Sequence, residues 1–161
     1  MKFWEVFLFY KCKIKTVKIM NAKEIINDIN RVYESYDNSV KKEVAAKYEI
    51  NSKKKDEIIS ILYKKLIELR HQENRKEFTL DDLKAFNRTY SYSTLKKATE
   101  AFEDEPIEFM NFMRDYYDEL QKRHGNSYAG QSYRRTMETI EKVIYNKKNG
   151  LMIGACDNRI L

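Results

Sequence analysis

From Ala22 onward the apolar positions recur at spacings of three and four. Ile25, Ile26, Ile29, Val32, Tyr33 and Tyr36 form one stripe, which predicts an amphipathic helix. Asp37, Asn38 and Ser39 interrupt it, and a second piece continues through Val40, Val44, Ala45 and Tyr48. Asn51 and Ser52 offer an N-cap for a helix over about residues 53–73, with Ile58, Ile59, Leu62, Leu66 and Leu69 inward and lysines outward. The run Phe78-Thr79-Leu80-Asp81-Asp82 reads as a strong helix start, Thr79 capping and Asp82 answering three residues on. That helix is expected to be short, over about residues 80–86, followed by a turn at residues 87–91 and a helix over about 92–102. Pro106 stands where a first-turn proline is tolerated and Gly125 where a helix closes. Between them Ile107, Met110, Met113, Tyr117 and Leu120 mark an inward face. A last helix spans about 128–148, with Tyr133, Met137, Ile140 and Ile144 inward. Residues 3–18 differ. Lys11, Lys13 and Lys15 alternate with Cys12, Ile14 and Thr16, the period of an extended segment with one wet face.

The expected fold is therefore all-α, a small helical bundle of about six helices with a short extended N-terminal leader. Four stretches follow: a basic leader, 1–19; a helical unit, 20–103, holding a possible helix-turn-helix; a helical hairpin, 104–150; and a tail, 151–161. Four glycines and one proline among 161 residues suit helices and exclude collagen-like or low-complexity structure.

The net charge of +6 points to a polyanionic partner, and its distribution sharpens the point. Residues 100–121 hold eight acids and one base, whereas 51–99 hold twelve bases and seven acids, and 122–161 eight bases and three acids. The charge is segregated into faces. Cys12 and Cys156 lie near opposite ends with neither zinc nor redox spacing, so reduced thiols and a cytoplasmic location are expected. No apolar run is long enough to span a bilayer, so no membrane partner is expected. The apolar start of the chain is broken by Glu5 and lacks a small-residue cleavage site, which argues against export.

Candidate chemistry lies in three places. Residues 79–102 fit the size of a helix-turn-helix, leaving Ser93, Thr94, Lys96 and Lys97 free to meet DNA. Glu103, Asp104, Glu105 and Glu108 cluster at a helix start, where acids complement the helix dipole more readily than they bind a metal. The first turns of the last helix hold Gln131, Ser132, Arg134 and Arg135, and Lys122 and Arg123 close the helix before it. Unpaired amides at a helix start carry partial positive charge and favour phosphate, and arginine forks onto phosphate or guanine. The competing reading pairs Arg134 and Arg135 with the acids of residues 103–119. No glycine-rich phosphate loop or nucleophile–base pair is present, so no cofactor and no enzymatic activity are expected.

The stretch 107–144 resembles the start of the SAM-like core-binding domain of tyrosine recombinases, the phage and transposon integrases. That family places an aromatic-rich helix before a glycine-containing turn, then a helix with a T-x-x-x-Y-R-x-x-L arrangement. The matching residues are Phe109, Phe112, Tyr116 and Leu120, then Gly125, then Ser132 to Met137 and Ile140. Residues 53–84 also look like the stretch preceding that domain. The family's threonine is Ala129 here, and neither His71 nor His124 begins a His-x-x-Arg sequence. The resemblance implies an integrase-like DNA-binding region of a mobile element, without the catalytic domain. Its expected partner is double-stranded DNA, met by Gln131, Ser132, Arg134, Arg135, Lys122 and Arg123, with Lys96 and Lys97 as a secondary patch. The alternative is a protein-interaction module, such as a phage-encoded inhibitor or adaptor. It would bind a protein partner, or itself, through Phe109, Phe112, Tyr116 and the carboxylates among them.

Overall fold

A computed structural model describes residues 20–92 and 94–150. The leader, Cys12, Ser93, Cys156 and the tail lie outside the described residues. The described chain is all-helical, with seven helices and no strand. They are α1 (Ala22–Glu34), α2 (Asn38–Lys47), α3 (Lys55–Glu73), α4 (Leu80–Thr89), α5 (Leu95–Ala101), α6 (Ile107–His124) and α7 (Tyr128–Lys148). Among the described residues no helix is long and apolar enough to cross a membrane.

Local chemistry sets the boundaries. Asn21 caps α1 by accepting from the Lys23 N–H at 2.8 Å, and Asp37 caps α2 by accepting from Ser39 at 2.9 Å. At α4 the Thr79 N–H donates to the Asp82 carboxylate at 2.8 Å, the capping arrangement expected there. Three boundaries differ from expectation. α3 starts at Lys55, because Ser52 accepts from the Lys54 N–H and forms a turn before the helix instead of its cap. α4 runs on to Thr89. α5 starts only at Leu95, where Thr94 accepts from the Lys97 N–H.

α1 packs on α3, both pack on α4, and α2 closes one end against α1 and α3. α6 and α7 form an antiparallel hairpin, and α5 lies on α7. One core joins them: Ile25, Ile29, Leu62, Leu66, Phe86, Phe109, Met113 and Ile140 all belong to it. Its centre is aromatic. Phe86 stacks on Phe102 with centroids 4.7 Å apart and meets the edges of Tyr63 and Phe109 at 6.0 and 5.4 Å. Tyr33 and Tyr36 depart from their expected place on the α1 stripe. Tyr33, within α1, is 47 % exposed with Lys55 and Arg88 against its ring, while after Glu34 the extended backbone of Ser35 (φ −88°, ψ 135°) throws the chain off the helical period and leaves Tyr36 99 % exposed.

Candidate nucleic-acid interface

The α6–α7 turn brings six of the eight expected DNA-facing residues to one end of the hairpin. Its geometry begins with two glycines. Gly125 ends α6 with φ 56° and ψ −132°, a combination that side chains other than hydrogen disfavour. Ser127 caps α7 by accepting from the Gly130 N–H at 3.2 Å. Gly130 is buried, and a Cβ on it would stand 2.1 Å from the Gly125 carbonyl oxygen. Gly130→Ala therefore forces the turn open. A thermal or urea melt should show a loss of about 1–3 kcal/mol, the usual cost of overpacking.

Around this turn Lys122, Arg123, Gln131, Ser132, Arg134 and Arg135 are all exposed, and Tyr128 stands 87 % exposed beside them. Tyr133, between them in sequence, turns inward and packs on His124 and Tyr117 with ring centroids 5.4 and 6.1 Å away. The first turn of α7 holds no acid. Arg134 pairs with Glu138 of its own helix at 3.3 Å, Lys122 with Asp118 at 3.0 Å and Arg123 with Glu119 at 2.6 Å. Among the described residues no ion pair holds Arg135. The expected competing pairing of Arg134 and Arg135 with residues 103–119 is thus not the one adopted. Asp115, Asp118 and Glu119 take partners on α6 itself, Asp115 joining Arg114 at 3.1 Å. The Gln131 amide donates to the Asn126 carbonyl at 3.2 Å, and the Ser132 carbonyl accepts from Thr136.

Lys96 and Lys97 are exposed on α5, away from this turn. α5 ends beside the far end of α7, where the Lys147 ammonium donates to the carbonyls of Phe102 (3.2 Å), Glu103 (3.3 Å) and Glu105. α4 and α5 pack on different partners, α4 on α1 and α3 and α5 on α7. Thr94 spends its hydroxyl on the α5 cap.

Of the acidic cluster, Glu103, Asp104 and Glu108 are exposed, but Glu105 turns into the core. It meets a buried group that the reading of the sequence did not single out. Arg70 of α3 donates to Asp82 at 2.7 Å and to the Tyr63 hydroxyl at 3.3 Å, and lies 3.7 Å from Glu105. Tyr63 donates to Glu105, and Arg75 to Asp82 at 2.5 Å. Burial pushes the Glu105 carboxyl above its ordinary value, and its partners do not fully offset this. Burial also pushes Asp82 up, but the Arg70 charge, the Thr79 N–H and Arg75 outweigh it and hold Asp82 below the usual carboxylate range. Burial and the Glu105 charge raise the Tyr63 hydroxyl well above a free phenol. The signal was present: Arg70 continues the Leu62–Leu66 spacing by four, a cation in an apolar stripe.

Among the described residues no group of three His, Cys, Asp or Glu is arranged to hold a metal ion. Comparison with protein-family models, curated proteins and solved structures gives no significant match to this chain.

Proposed function

We propose that this chain is a non-catalytic DNA-binding protein of a mobile element, meeting duplex DNA with the α6–α7 turn. The observation that carries the proposal is the gathering of Lys122, Arg123, Gln131, Arg134 and Arg135 around the amino end of α7. Arg135, free of any ion pair among the described residues, makes the first phosphate contact. Arg134, Lys122 and Arg123 follow by releasing exposed pairs worth only about 0.3–0.5 kcal/mol each. Gln131 and Ser132 stand where side chains reach base edges or sugar oxygens. The integrase resemblance supports the same end of the same hairpin. The alternative interaction surface is reduced, because Phe109 is fully buried and Phe112 and Tyr116 are half-buried.

A salt series on random-sequence duplex DNA tests the proposal. Wild-type affinity should fall steeply with salt, and Arg134→Ala/Arg135→Ala should flatten the log–log slope by about two units, roughly one per lost phosphate contact. Wild-type protein without salt-dependent binding at low ionic strength would contradict it.

A further inference from the structure

A second surface, on the opposite part of the sequence, has a different chemistry. The segment between α1 and α2 carries Tyr36 at 99 % exposure, an unusual cost for an aromatic ring unless something covers it. Its ring is not featureless. The Lys55 ammonium lies 5.6 Å from its centroid and 5.3 Å from that of Tyr33, while the Arg88 guanidinium lies 5.1 Å from Tyr33. Two half-turned tyrosines are thus flanked by two cations.

Beside them runs a groove of about 460 Å³ between α2 and the segment leading into α3, with Ala45, Ala46 and Ile50 among its lining and Lys41, Lys42 and Lys53 along it. Asn38 stands two residues from Tyr36, and Lys53 two residues from Lys55, so both walls of the groove adjoin in sequence the ring and the cation over it. Three of the nearby acids are already engaged. Glu43 binds Arg31 at 3.1 Å, Asp37 accepts from Ser39, and Glu57 accepts from Ser52 at 2.5 Å and lies 3.8 Å from Lys54. Lys41, Lys42 and Lys53 have no ion pair among the described residues.

We infer that this groove binds a single strand of nucleic acid, its phosphates along Lys41, Lys42 and Lys53 and one base stacked on Tyr36. A groove edged by cations beside an exposed aromatic ring is a pairing that holds single strands without sequence preference. In a duplex the base faces are covered by their neighbours, so Tyr36 would have nothing to stack on. A lipid surface fits less well, because the apolar lining is limited to Ala45, Ala46 and Ile50, with no Phe, Trp or Leu to enter a bilayer. The inference stands apart from the α6–α7 turn and does not need it.

The test is fluorescence anisotropy of the full chain with a labelled oligothymidylate of about ten nucleotides, within the length that such grooves take. Tyr36→Ala should weaken binding roughly tenfold, whereas Tyr36→Phe, which keeps the ring, should stay near wild type. Lys42→Ala/Lys53→Ala should flatten the salt slope by about 1.4 units, at about 0.7 per single-strand phosphate. Arg134→Ala/Arg135→Ala should leave oligothymidylate binding intact, so failure of one surface is distinguishable from failure of the other. These side chains are exposed, and an unchanged melting temperature confirms each fold. Equal binding by Tyr36→Ala and wild type would overturn the inference. So would loss of binding only in Arg134→Ala/Arg135→Ala, or Tyr36-dependent binding to phosphatidylserine vesicles with none to the oligonucleotide.

Discussion

Arg70→Met should destabilise the chain by about 3–5 kcal/mol in urea unfolding at neutral pH, the cost of stripping one partner from a buried ion pair. The Arg70 side chain is 5 % exposed and that of Asp82 1 %, so solvent screens little of the interaction. Without the guanidinium, Asp82 keeps Arg75 and its capping bonds from Thr79, and Glu105 keeps only the Tyr63 hydroxyl. Arg70→Lys should fall between, since a lysine holds the charge but not the fork that meets Asp82 and Tyr63 together. The pH dependence has a defined sign. Asp82 is held below its ordinary value, so its contribution is present above about 3.8 and is lost as pH falls through the depressed value. The gap between wild type and Arg70→Met should therefore narrow in acid. Glu105, held above its ordinary value by burial, acts oppositely: its share is lost as pH rises through the raised value. A gap that stays constant from neutral pH into acid would show that Arg70 acts through packing alone.

Phe86→Ala is expected to cost about 3–5 kcal/mol as well, for a different reason. Phe86 is fully buried, with five ring neighbours: Tyr63 from α3, Tyr90 and Tyr92 after α4, Phe102 after α5 and Phe109 from α6. No single neighbour can relax into the space, so the cavity persists and its cost adds to the lost transfer energy. Phe86→Leu, which keeps much of the volume, should lose less than half as much. Similar losses for Ala and Leu would mean that ring–ring geometry, not volume, dominates this core.

The helices were legible because three- and four-residue spacing and side-chain caps are local. Ile25, Ile29 and Val32, the Thr79–Asp82 cap and the Gly125 stop all follow from neighbours within a turn. Tyr36 was misplaced because a stripe does not reveal where its helix ends, and the extended Ser35 ends it first; Tyr33, still within α1, is half exposed against Lys55 and Arg88, which come from other segments. The Arg70 group was harder to read. Its partners, Asp82 and Glu105, come from other segments, and only tertiary packing shows that a carboxylate from an acidic cluster points inward. The residues at the α6–α7 turn were found together because one tight turn joins them in sequence. Lys96 and Lys97 belong to a separate helix, and nothing local could tell that it packs at the far end of α7.

The central claim is that duplex DNA meets the α6–α7 turn. Backbone amide shifts of the isotopically labelled chain, followed while duplex DNA is titrated in, test it most directly. The account predicts shifts concentrated over residues 122–135, with Arg135 and Gln131 among the largest. Shifts that leave residues 122–135 unmoved, or fall only on α2 and the start of α3, would contradict it.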